Sequence, residues 1–231
     1  MINLLKKLKL PDQSLKFLAL LLSADLFFVF FYMVSKIARF LDLGTTIRLE
    51  TFNLTMDLGL SESFQYVKEF WIVILFIWLM YKNRNFLFTG WVFLYIYLLF
   101  DDMFGFHEGL AAFFIAKSGI EPEKILFNNV RYQDFGEIGI SLLFGVILLS
   151  IIAFTYFKGN AVVRDIFHHL IGLLFLLVFF GVVADFIDRL FSPEAQKMMV
   201  MFTDVLEDGG EMIAMSLMCW YVSTLSEPAP S

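Results

Sequence analysis

Cysteine is almost absent from this chain and histidine is scarce. A single cysteine, Cys219, excludes an internal disulfide and any metal site built from several thiolates. Three histidines, His107, His168 and His169, are too few for the histidine-rich iron sites of membrane desaturases. Basic patches with interleaved aromatics are missing too, which excludes nucleic acid as a partner. No small-x-small cleavage pattern follows the first apolar run, Phe17 to Val34. The lysine-bearing start (Lys6, Lys7, Lys9, Lys16) therefore reads as a leader before a retained span, not as a removable signal.

Apolar residues are abundant. They make up 59% of the 231 residues, phenylalanine alone counts 30, and the mean hydropathy is +0.76. That content, arranged in long runs, places the chain among polytopic membrane proteins. The expected fold is all-α: an amphipathic cytoplasmic leader over 1–16, a six-helix transmembrane domain over 17–225 and a disordered tail over 226–231. The spans fall at about 17–35, 62–82, 86–115, 133–157, 166–190 and 194–225. Ser61 or Ser63 is the expected cap of the second helix, and Ser192-Pro193-Glu194 opens the last. Residues 117–132 read as a polar connection.

Lysine and arginine set the orientation. The leader and the turns at 82–85 and 158–164 are basic, whereas 40–68, 117–132 and 191–197 are mixed or acidic. The positive-inside bias then puts both termini in the cytoplasm, and a plasma (inner) membrane location follows as the expectation. The outward ends of five spans carry nearly all the embedded acids: Glu62 and Glu69; Asp101, Asp102 and Glu108; Asp134 and Glu137; Asp185 and Asp188; Asp204, Glu207, Asp208 and Glu211. Asp25 is the exception, and a nearby lysine or a buried hydrogen bond is its expected partner.

The stretch Asp101-Asp102-Met103-Phe104-Gly105-Phe106-His107-Glu108 ends a run, Phe86 to Phe100, that has no charge at all. On one continuous helix Asp101 and Glu108 would lie within about 20° of each other. Asp204, Glu207, Asp208 and Glu211 likewise share a wedge of roughly 100°. Like charges this close repel unless protonated, hydrated or neutralised by a cation. Glycines at 209 and 210 weaken the helix by about 1 kcal/mol each relative to alanine, which makes sense where another helix or an ion approaches the backbone. Glu137, Ser141 and Gly145 form a polar-to-small stripe that should face other helices, not lipid. The methionines of the last span, among them Met212, Met215 and Met218, read as packing filler and not as a copper ladder.

These residues predict an outward-facing site for a divalent cation, or for protons. The expected ligands are Asp101, His107, Glu108, Glu137, Asp208 and Glu211, with Asp185 and Asp204 behind them. Carboxylates with one imidazole suit Mg²⁺, Ca²⁺, Mn²⁺, Fe²⁺ or Zn²⁺. Three functions fit: cation binding that extends to translocation, a metal-dependent hydrolase or oxidoreductase acting on a lipid, or a subunit whose acids dock a cationic partner. The inner halves of the third and fifth spans are almost wholly apolar, so one copy offers no polar route through. A homo-oligomer is the arrangement that could build one. The expected partners are the bilayer and a cation.

Overall fold

The structure, a computed structural model, describes residues 12–41, 53–56, 58–127, 130–184, 186–187 and 193–226. Most of the expected leader, much of the 40–61 segment, Asp185, Asp188 and the tail beyond Ser226 lie outside the described residues.

The chain folds as an all-α protein. Among the described residues seven long α-helices follow in order: α1 (Asp12–Phe40), α2 (Leu60–Asn83), α3 (Thr89–Phe104), α4 (Phe106–Lys117), α5 (Tyr132–Lys158), α6 (Ala161–Val178) and α7 (Pro193–Ser226). Five stretches among the described residues are long and apolar enough to cross a membrane: Gln13–Arg39, Leu60–Asn83, Phe86–Phe104, Tyr132–Lys158 and Ala161–Ala184. The last of these includes a π-helical segment, Phe179–Ala184, that prolongs α6.

Two expectations are corrected here. The apolar run from residue 86 does not continue as one helix to 115. It stops at Phe104, because Gly105 adopts the left-handed conformation (φ +58°), and α4 starts afresh at Phe106. A residue without Cβ takes that conformation at little cost. The connection at 117–132 contains a short antiparallel pair, β1 (Ile125–Phe127) with β2 (Val130–Arg131). Helix α2 starts at Leu60 without a serine cap; the Glu62 carboxylate instead accepts a hydrogen bond from the Leu58 amide.

Helix α7 is central. It packs against α1, α2 and α6, and buries Met212, Ala214, Met215, Met218, Cys219 and Val222. The methionines do act as packing there, their flexible thioethers filling gaps between helices. At the opposite ends of α2 and α3 an aromatic nucleus forms: Phe76 stacks on Phe88 and Trp91, and Phe167 of α6 meets Trp91 edge-on. Gly90 lets α3 cross α5 closely, since a Cβ there would lie 2.8 Å from Ile152 Cγ1. Close backbone approach at small residues is how helices associate in lipid, where burial from water supplies no drive. The crossing fixes α3 and α5 side by side, so the tip of α3 and the start of α5 arrive at the same end of the bundle.

Candidate functional site

The helix break at Gly105 organises the acids. Asp101, buried near the end of α3, turns across the break and accepts the His107 amide at 2.8 Å through Oδ1. Its Oδ2 holds His107 Nδ1 at 2.9 Å. Asp101 thus satisfies one of the free amides at the start of α4 and fixes the imidazole at the same time. Burial works against the His107 imidazolium, but the hydrogen bond and charge of Asp101, with Glu108 and Glu137 behind it, outweigh that and raise its pKa.

A cavity of about 450 Å³ opens beside this break. Asp101, Asp102, His107 and Glu108 line it from α3 and α4, Glu207, Asp208 and Glu211 from α7, and Glu62 and Gln65 from α2. The two acidic stretches singled out in the sequence therefore meet. Gln65 Nε2 donates to Glu211 Oε2 at 3.4 Å, and the Tyr66 hydroxyl donates to the Asp102 carbonyl at 2.9 Å, tying α2 to α7 and α3.

The remaining predicted ligands are placed differently. Glu137 accepts from Gln133 Nε2 at 2.8 Å and lines a smaller space of about 70 Å³ with His107 and Ser141. Asp204 does not line the large cavity. It accepts from the Tyr32 hydroxyl and pairs with Lys36 at 3.3 Å, which ties α7 to α1. Asp134, an acid not expected as a ligand, sits in the first turn of α5 bound to Arg131, which also reaches Glu123 at 2.7 Å. Asp185 lies outside the described residues. Among the described residues no three His, Cys, Asp or Glu side chains come close enough together to hold one metal ion.

A second cavity, about 400 Å³, adjoins the first and shares Gln65, Asp101, Asp102, His107 and Glu211 with it. Its other walls are apolar, chiefly Leu94, Leu98, Leu142, Val146, Leu174 and Leu177. Ser141 and Gly145 face this slot, so the polar-to-small stripe does look inward, toward a space and not toward a tightly packed helix. Nothing lies within 4 Å of where a Gly145 Cβ would be. Glu69, fully buried, lines this second cavity together with the shared Gln65 and Asp102; its carboxylate lies within hydrogen-bond reach of the Asp102 carboxylate, and no donor group among the described residues serves either of its oxygens. Gln65 Oε1 lacks one as well. The charges of Asp102 and Glu211 bear on Glu69 from α3 and α7, and the Lys68 ammonium beside it in α2 offsets them in part.

Glu62, Glu69 and Asp102 were legible as outward acids, but spacing alone gave no reason to prefer them as ligands. The glycines of α7 have their explanation in helix packing. The Phe180 ring lies against Gly210, and the Glu211 carboxylate lies against Gly181 in the π-helical segment, where a Cβ would overlap it. Insertions of this kind are frequent at functional sites.

Deeper in the bundle, Asp25 has the lysine partner expected for it. Lys68 Nζ lies 3.0 Å from Asp25 Oδ1, 3.2 Å from Ser216 Oγ and 2.8 Å from the Met212 carbonyl. Ser216 donates to the other Asp25 oxygen at 2.5 Å. All three side chains are buried. At the other end of the bundle His168 and His169 bond to the Tyr156 hydroxyl and the Asp165 carbonyl, apart from both cavities.

Residues 49–225 match a family described as a domain of unknown function (DUF8692). No curated protein matches the chain, and no solved structure does.

Proposed function

The chain belongs to the DUF8692 family, and we propose that it is a membrane protein that binds a cation in an acidic vestibule on the outer side. The observation that carries this reading is the meeting of Asp101, Asp102, His107 and Glu108 with Glu207, Asp208 and Glu211 around one cavity. Negative side chains gathered at the ends of apolar helices lower the free energy of any cation that enters. In this reading α7 is a sixth span. Its acids exclude it from simple hydropathy, but Glu207, Asp208 and Glu211 face the vestibule and Asp204 is held by Tyr32 and Lys36, while Met212 to Val222 supply its apolar half. The loop charges then keep both termini cytoplasmic, and the plasma (inner) membrane is the compartment.

The vestibule is wide, and no three-ligand cage closes among the described residues. It therefore suits a hydrated or organic cation better than a stripped metal ion. Of the divalent candidates, Mg²⁺, Ca²⁺ and Mn²⁺ tolerate such oxygen-rich, water-completed shells. Binding, not conduction, is the activity: inward of the acids the walls turn to leucine and valine, which offer an ion nothing. A second reading, a metal-dependent enzyme acting on a lipid, draws support from that same apolar slot beside a water-accessible acid cluster.

Manganese binding by the purified protein, followed by electron paramagnetic resonance, tests the proposal. Glu108→Ala and Glu211→Ala are each expected to weaken binding by roughly tenfold or more, the equivalent of about 1.4 kcal/mol. Equal affinity in both variants overturns it, and no binding in any form overturns an inorganic ion as its ligand.

A further inference from the structure

Acidic clusters at helix ends are common, and the vestibule alone would say little about its ligand. The junction with the apolar slot says more. Glu69 is fully buried in the wall of the slot, facing the Asp102 carboxylate with no donor of the described residues between them, and Gln65 one turn before it has a third acceptor without one. Leaving buried acceptors unmatched is costly, and the arrangement persists where a ligand supplies the missing donors. Three acceptors on one face of α2 match the three N–H donors of a primary ammonium, and the surrounding carboxylates match its charge. From this point the slot runs between α3, α5 and α6. The wall from Ile138 to Leu149 spans roughly 16 Å at 1.5 Å per residue. Its volume of about 400 Å³ is apolar and continuous with the acids.

We infer that the slot and the acids around Glu69 form one binding site for a membrane amphiphile that carries a primary ammonium head and an alkyl chain. The chain lies along Leu98, Leu142, Val146 and Leu177, beside the open space at Gly145. The head lies among Glu69, Asp102 and Gln65. Charge complementarity selects this occupant over a neutral lipid, whose head would bring no positive charge to Glu69, Asp102 and Glu211. It also excludes an anionic one, which these carboxylates repel. This inference rests on the vestibule being a cation site and names the cation: an alkylammonium, charged at neutral pH as a lysine side chain is.

Hexadecylamine bearing a mid-chain diazirine is the probe, with the equivalent hexadecanol as control. The full chain in detergent is irradiated with each, and the labelled peptides are mapped by mass spectrometry. Labelling of α5 and α6 by the amine at roughly tenfold the level of the alcohol supports the inference. Gly145→Leu fills the slot from a position with room for a side chain, and is expected to abolish the amine's labelling while leaving Mn²⁺ binding unchanged. Val178→Phe is a second, independent way to fill the same space. Glu69→Gln is expected to remove the preference for amine over alcohol while chain labelling continues. Equal labelling by amine and alcohol in the wild type, or labelling unaltered in both filled variants, overturns the inference. Amine labelling without Mn²⁺ binding keeps this site and discards the inorganic ion; Mn²⁺ binding without slot labelling does the reverse.

Discussion

Lys68 holds its ammonium where no water reaches, and its surroundings supply everything water would have. Asp25, Ser216 and the Met212 carbonyl take its donors, and Ser216 caps the second Asp25 oxygen. Such a group is stable only as a set, because removing one partner strands the other charge in a low-dielectric interior. Lys68→Met is therefore expected to destabilise the protein by about 3–5 kcal/mol. Lys68→Met combined with Asp25→Leu is expected to recover a good part of that loss, and unfolding in a denaturing detergent measures both. A double variant no more stable than the single one would remove the pair from the account. His107 gives a second expectation at this scale. Its imidazolium is favoured in the folded chain by Asp101, so the folded-state pKa lies above the unfolded value of about 6.5. The stabilisation is fully present below that value and is lost as pH rises through the folded pKa. Stability of the wild type should thus fall relative to His107→Gln as pH rises above about 6.5. A flat difference across that range would mean Asp101 holds α4 through the backbone amide alone. The sequence made Asp25 and His107 visible as oddities in apolar surroundings. It did not reveal that Asp25 and Lys68 are partners, because pairing across 43 residues depends on how α1 and α2 pack, which no spacing encodes.

At the scale of elements, hydrophobic length was a good guide and helix continuity was not. The apolar runs of α1, α2, α5 and α6 are where the composition expected them, since a membrane span needs about 20 apolar residues and little else. The break at Gly105 was hidden, because glycine inside an apolar span is common and usually helical. What decides the matter is local: Asp101 can satisfy the His107 amide only if the chain turns there. Consequently the seven-residue spacing of Asp101 and Glu108 does not describe one helix face; both reach the cavity from separate helices. Gly105→Ala tests the break directly. A left-handed residue with a Cβ costs about 1–2 kcal/mol, so the variant should lose that much stability. It should also lose vestibule binding, by turning α3 and α4 into one rod that points Glu108 elsewhere. Stability equal to the wild type would mean that the left-handed turn is not required.

For the molecule as a whole, the acids have meaning only through topology. Five helices contribute carboxylates to one end of the bundle, and the basic turns at 82–85 and 158–164 lie at the other. The fold brings the α3 tip and the acidic stretch of α7 together around a shared space. What the sequence could not supply was the slot, because a cavity is the volume left over when α3, α5 and α6 pack, and residue types alone do not say where packing fails. Orientation remains the feature with the widest consequence. If the basic turns face the cytoplasm, a cysteine placed at Asn83 or Asn160 is shielded from an impermeant maleimide added to intact cells. A cysteine at Glu121, in the outer connection, is labelled. Cys219 is buried in the bundle and should not react, so no background needs removing. Labelling at Asn83 and Asn160 with protection at Glu121 would invert the molecule, and the vestibule would then draw its cation from the cytoplasm. Labelling at all three sites would mean that the chain does not cross the membrane between them, which contradicts five apolar helices of full spanning length.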